Sequence, residues 1–84
     1  MKINVLYFAR LRETFGLGGE TLELPEGSGV EELIAELRAR GGDWDGQLAP
    51  ERAFRIAVDQ EVVGLNTPLQ EGAEVAIFPP VTGG

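Results

Sequence analysis

The chain has 84 residues, enough for one small domain, and its 43% hydrophobic content is that of a globular protein, not a disordered one. It contains no Cys and no His, which excludes a disulfide framework, a thiolate metal site, a thiol nucleophile and the commonest general base. A formal net charge of −7 disfavours nucleic acid and anionic membrane as partners and favours proteins with basic docking surfaces.

Lys2 to Phe8 alternates, with Ile3, Val5 and Tyr7 on one side and Lys2, Asn4, Leu6 and Phe8 on the other, which predicts a strand. Arg10 to Gly16 reads as a short helical turn with Leu11 and Phe15 at i and i+4, stopped by Gly16 and the Gly18-Gly19 pair. Glu20 to Leu24 alternates again before Pro25, and is expected to pair with the first strand as a hairpin. A main helix follows. Ser28 and Glu31 form a capping-box pattern, and Val30, Leu33, Ile34 and Leu37 make one apolar stripe. Acidic Glu31, Glu32 and Glu36 come early and basic Arg38 and Arg40 late, as the helix dipole prefers, and Gly41-Gly42 ends the run.

Asp43 to Arg52 reads as irregular, anchored by Trp44 and Leu48. Phe54, Ile56 and Val58 alternate with Arg55 and Ala57 as a third strand; a turn at Asp59-Gln60-Glu61 leads to a short strand at Val62-Val63. After a loop ending at Glu71-Gly72, Glu74 to Phe78 forms the last strand, and Pro79-Pro80 prevents its continuation. The order β-β-α-β-β-β predicts an α+β domain over residues 1–78, a mixed sheet with one helix across one face, followed by an extended tail at 79–84. The start of the chain runs straight into strand-like sequence, and no apolar run approaches the roughly 18 residues of a membrane span, so a cytoplasmic location is expected.

If the helix covers the face bearing Ile3, Val5, Tyr7, Phe54, Ile56, Val58, Val75 and Ile77, the pleat sends Phe8 and Phe78 to the opposite face, with Leu6 and Val62 beside them. Large apolar side chains on an open face mark a partner site, unless the loops at 10–19 and 43–52 fold over them. The tail, Pro79-Pro80-Val81-Thr82-Gly83-Gly84, is the other unusual feature. Two prolines stiffen its exit, and two terminal glycines fit a passage too narrow for side chains. A terminal carboxylate is a poor electrophile; activation with ATP as an acyl-adenylate, then displacement of AMP by sulfur, would make it a thiocarboxylate. The chain offers no evident catalyst for those steps, since paired carboxylates such as Glu31 and Glu32 lie on a solvated helix.

The stretch Glu74 to Gly84 closely resembles the small subunit of molybdopterin synthase, the MoaD family, and Val5 to Glu13 resembles that family's first strand and turn. Weaker similarity runs through Ala57 to Gln60 and Pro68-Leu69, while Arg40 to Ala53 is the least family-like part. The resemblance implies a ubiquitin-like β-grasp fold with first and last strands parallel at the centre. It implies a non-catalytic sulfur-donor subunit, cytoplasmic, without bound cofactor or metal. The C-terminal Gly84 would be adenylated by a MoeB-like enzyme that uses ATP, converted to a covalent thiocarboxylate, and inserted through Pro79, Pro80, Val81, Thr82 and Gly83 into a MoaE-like large subunit. There it would donate sulfur to precursor Z, a cyclic pyranopterin monophosphate, within a heterotetramer of two large and two small subunits. The family's docking surface falls on Phe8, Phe78 and Val62, where Val62 stands for a larger Leu, and Arg12 matches an arginine that pairs with partner acids. A ThiS-like carrier, a ubiquitin-like modifier and a non-covalent interaction module are the alternatives.

Overall fold

A computed structural model describes residues 1–80; Val81, Thr82, Gly83 and Gly84, the distal part of the expected tail, lie outside the described residues. Five strands form one sheet: β1 (Lys2–Tyr7), β2 (Gly19–Glu23), β3 (Arg55–Val58), β4 (Glu61–Val63) and β5 (Glu74–Phe78). Their spatial order is β2-β1-β5-β3-β4. β1 and β5 pair in parallel at the centre, with Val5 opposite Val75 and Tyr7 opposite Ile77, and every other pairing is antiparallel. This is the mixed sheet of a ubiquitin-like β-grasp fold.

The alternation along β1 and β5 sends Ile3, Val5, Tyr7, Val75 and Ile77 to one face, where each is at most 1% exposed. Helix α2 (Val30–Arg38) lays Val30, Leu33, Ile34 and Leu37 onto that face, as its 3.6-residue stripe requires. Its entry differs from the expected capping box by one residue. Ser28 is buried with its hydroxyl donating to the Pro25 carbonyl at 2.7 Å, so Gly29 takes the N-cap and the Glu32 carboxylate accepts the Gly29 N–H at 2.6 Å. The N–H groups of Val30 and Glu31 donate to the carbonyls of Thr67 and Leu65, which satisfies the first turn from a distant loop. That loop passes so close that a Cβ on Gly29 would sit 2.8 Å from the Thr67 oxygen.

The segment expected to be irregular instead contains a second short helix, α3 (Gly42–Gln47), which follows Gly41 at φ 77°. Two internal glycines and two aspartates hid it, because local propensity opposes it. Tertiary packing outweighs that propensity. Trp44 of α3 stacks on Phe15 of α1 (Ala9–Phe15) with centroids 3.8 Å apart and planes 8° from parallel, and Tyr7 meets both edge-on at 5.3 Å. Leu48, just beyond α3, is buried as its anchoring role requires. The β3–β4 hairpin turns on Asp59 (φ 49°) and Gln60 (φ 72°), a two-residue loop whose handedness matches the strand twist.

Candidate functional site

The face of the sheet away from α2 carries the side chains that the core rejects. One cross-strand row runs through all five strands in register: Gly19, Leu6, Ala76, Ala57 and Val62. No charge interrupts it. Leu6 lies over Gly19, where an added Cβ would approach the Leu6 side chain to 3.0 Å and the Val5 carbonyl to 2.9 Å. Val62 stands at the β4 edge, 64% exposed. The adjacent row begins at Phe8 and passes through Phe78 to Arg55, which is paired with Phe78 across β5 and β3. Phe15 and Trp44, which anchor the two segments able to cover this face, stack instead with Tyr7 at the core.

Phe8 is the more exposed aromatic, at 44%, while Phe78 is half-buried. Strand β1 ends at Tyr7, one residue short of the expected Phe8. Phe8 is instead the N-cap of α1, still extended at φ −124°, ψ 155°. Both its backbone groups are held: its N–H donates to the Ile77 carbonyl at 3.2 Å, and its carbonyl accepts from Leu11 at 3.1 Å and Arg12 at 3.4 Å. Ala9 then turns the chain with φ 53°, a left-handed conformation that costs a non-glycine residue roughly 1–2 kcal/mol. The ring is therefore presented on a fixed backbone, next to the end of β5 where Pro79 leaves the sheet.

Pro79 and Pro80 border a hollow of about 370 Å³ whose other walls are Arg10, Glu51, Arg52 and Ala53. Arg10 reaches across it, with a long 3.5 Å contact from Nη2 to the Ala53 carbonyl. Arg12, singled out from the sequence, is exposed but lies against Gly18, with Nε 3.2 Å from where a glycine Cβ would stand. Three arginines not selected from the sequence, Arg10, Arg52 and Arg55, thus gather at the root of the tail. Nothing local to the sequence signals this, because they come from α1, an irregular segment and β3. Leu65, 48% exposed between β4 and α2, is a second apolar residue that periodicity did not isolate. It borders an adjoining hollow of about 580 Å³ along the β4 edge, which shares Glu51, Arg52 and Ala53 with the first and is lined also by Phe54, Arg55 and Val63.

An ionic network adjoins the aromatic cluster. Arg40 forks onto Glu20 with two bonds of 2.8 Å, and the Tyr7 hydroxyl donates to the same carboxylate at 2.7 Å. The hydrogen bonds from Arg40 hold the Glu20 carboxyl below the usual carboxylate range, with burial opposing and Tyr7 assisting. Burial pushes the Tyr7 phenol well above its ordinary value, and the bond to Glu20 adds to it. Arg40 also stacks over Trp44 at 4.4 Å. These groups tie β1, β2, the segment just after α2 and α3 together. Among the described residues there is no group of three carboxylates placed to hold a metal ion, and no helix is long and apolar enough to cross a membrane.

Comparison with known proteins places this architecture in a family. The ThiS family model matches residues 5–84. The molybdopterin synthase sulfur carrier subunit of Chlamydomonas reinhardtii is 38% identical over the full length of both chains, and that of Escherichia coli is 39% identical over 98% of this chain and 99% of the relative. Among solved structures, a Pyrococcus furiosus protein assigned as molybdopterin converting factor, subunit 1, superposes with a TM-score of 0.82 at 34% identity, covering 96% of this chain and 99% of its own. A chain from the complex of subunits 1 and 2 of the Helicobacter pylori molybdopterin-converting factor superposes at 0.70 with 25% identity over the whole of both chains. With full-length coverage and the same five-stranded sheet, the chain belongs to the ThiS family, among the sulfur carrier subunits of molybdopterin synthase.

Proposed function

We propose that this chain carries sulfur as a thiocarboxylate on Gly84 and delivers it to precursor Z inside a large subunit that docks on the open face of the sheet. The observation that carries the reading is the coincidence of two features: Phe8 and Phe78 stand at the ends of the two central parallel strands, where Pro79 leaves the domain. A partner seated on these aromatics is at once at the root of the tail. From Pro80 the remaining four residues reach at most about 14 Å, enough to enter a buried site from the docking face.

The chemistry falls to partners. In activation by a MoeB-like enzyme, a Gly84 carboxylate oxygen attacks the α-phosphorus of ATP and pyrophosphate leaves. Sulfide-level sulfur (HS⁻) from a donor then attacks the acyl carbon and AMP departs, leaving the thiocarboxylate. The thiocarboxylate sulfur attacks a side-chain carbon of the pterin and displaces an oxygen substituent, water then cleaves the resulting thioester to return the Gly84 carboxylate, and two such deliveries supply both sulfurs of the dithiolene. The chain contributes orientation: apolar burial of Phe8, Phe78, Leu6 and Val62 fixes the domain while the tail reaches the reacting atoms. Val62 contributes less than the two aromatics because its side chain is smaller. The relatives named as sulfur carrier subunits, and the two-subunit Helicobacter complex, support the reading and its large-subunit partner.

Reconstitution tests it. The thiocarboxylated chain is mixed with the large subunit and precursor Z, and the dithiolene product is measured. Product formation that is lost on deleting Gly84 is the expected result. A loaded chain that yields no dithiolene contradicts the assignment and favours a carrier for another acceptor.

A further inference from the structure

The net charge of the chain is −7, yet the surface around the tail root is locally basic. Arg10 and Arg52 line the hollow beside Pro79 and Pro80, and Arg55 flanks Phe78 across the β3–β5 pair. All three side chains are exposed. Their polar contacts are to neutral acceptors: Arg10 to the Ala53 carbonyl, Arg52 to Gln47 Oε1 at 3.2 Å, and Arg55 to the Phe54 carbonyl at 3.3 Å. Among the described residues none of the three sits in an ion pair. Arg38 and Arg40, elsewhere on the fold, do pair, at 2.9 Å with Asp45 and 2.8 Å with Glu20. Glu51 is the one carboxylate lining the same hollow.

Two roles are open to such a collar. A fully extended tail would carry Gly84 about 14 Å beyond Pro80, past the reach of an arginine at the tail root, so an inserted tail leaves the collar to a partner and not to the activated end. What lies against the collar when the tail is inserted is the partner's surface at the mouth of the passage. We infer that Arg10, Arg52 and Arg55 form a basic ring that recognises a carboxylate-bearing rim on the protein receiving the tail, and that this ring orients the carrier tail-first during encounter. The inference rests on the docking reading above. The ring has the position of an interface rim: exposed charge around an apolar centre of Phe8 and Phe78. Exposed arginines at a rim act mainly on association rate, whereas the aromatics act on dissociation. Whole-chain charge alone points to a basic partner; the local field at the tail root points to an acidic one.

The test is association of the full chain with the large subunit, followed by stopped-flow fluorescence from 20 to 500 mM NaCl (Debye lengths of roughly 20 and 4 Å). Compared are the parent chain, the triple variant Arg10→Gln/Arg52→Gln/Arg55→Gln, and Phe78→Asp, with thermal melts confirming that each is folded. The ring predicts an association rate for the parent that falls steeply with salt. It predicts a triple variant at least tenfold slower at low salt, with a flattened salt dependence and a dissociation rate within about twofold of the parent. An unchanged association rate and salt slope in the triple variant, with Phe78→Asp still abolishing binding, overturns the ring and leaves the docking face standing. Faster association of the triple variant also overturns it, showing that the mouth is basic. Undiminished binding by Phe78→Asp overturns the docking face, and the ring with it.

Discussion

Truncating Phe8 to alanine separates docking from folding. The residue is 44% exposed in the free domain. A phenylalanine presents about 200 Å² of surface, so docking would remove roughly 90 Å² from water. At about 25 cal/mol per Å² this contributes about 2 kcal/mol, equivalent to a 30- to 50-fold weaker complex once the ring is gone. The backbone bonds that hold residue 8, to Ile77, Leu11 and Arg12, do not involve the ring, and the substitution leaves them in place. By the same coefficient the roughly 110 Å² already packed in the free domain sets a ceiling of about 3 kcal/mol on the loss in folding stability, a ceiling because the unfolded chain also shields part of that surface. Isothermal titration against the large subunit gives the first quantity and chemical denaturation the second. An unchanged dissociation constant refutes the docking role of this face. A stability loss of about 4 kcal/mol or more would instead place Phe8 in the core, contrary to its exposure.

Other expectations follow from the same structure. Leu33, fully buried in the α2 stripe, should cost about 2–5 kcal/mol when changed to alanine, lowering the melting temperature by 10 °C or more; a shift under 3 °C would contradict the packing. Ala9→Gly relieves a left-handed φ of 53° and should raise the melting temperature by a few degrees, whereas a fall would show that the strain is absent. Because the folded-state pKa of Glu20 lies below its ordinary value of 4.5, its contribution is present above that pH and is lost as pH falls through the folded value. The melting-temperature gap between the parent and Glu20→Gln should therefore narrow in acid, and a gap that stays constant from pH 6 to pH 2 would contradict it. Tyr7 has the opposite sense: its raised pKa gives stability that is complete below about pH 10 and declines above it, a decline Tyr7→Phe should lack in alkaline melts.

How far the sequence could be read depended on the distance over which each signal acts. The α2 stripe was legible because Val30, Leu33, Ile34 and Leu37 repeat within nine residues, and the alternation of β1 and β5 set which side chains face away from the core. Its cap was misplaced by one position because the deciding partners, Thr67 and Leu65, arrive from a loop more than thirty residues away. Helix α3 was hidden for a related reason: Trp44 stacks on Phe15, a contact that no local propensity encodes. The exposed positions Phe8 and Val62 followed from the pleat alone, but the arginine collar did not. Arg10, Arg52 and Arg55 converge only once β3 is placed beside β5 and α1 beside the 50–54 segment, so the sequence drew attention to Arg12 and passed over its neighbours. The Glu20–Arg40 pair, twenty residues apart, was invisible on the same ground.

Sulfur loading at Gly84 is read out by intact-mass spectrometry of the chain. The chain is incubated with a MoeB-like activating enzyme, ATP and a sulfur donor, and the products are compared with a reaction lacking ATP. The expected result is an ATP-dependent mass increase equal to the exchange of one oxygen for sulfur, mapped to Gly84 by fragmentation and abolished by its deletion. A mass that stays unchanged under conditions where the same enzyme loads a known sulfur carrier would contradict it.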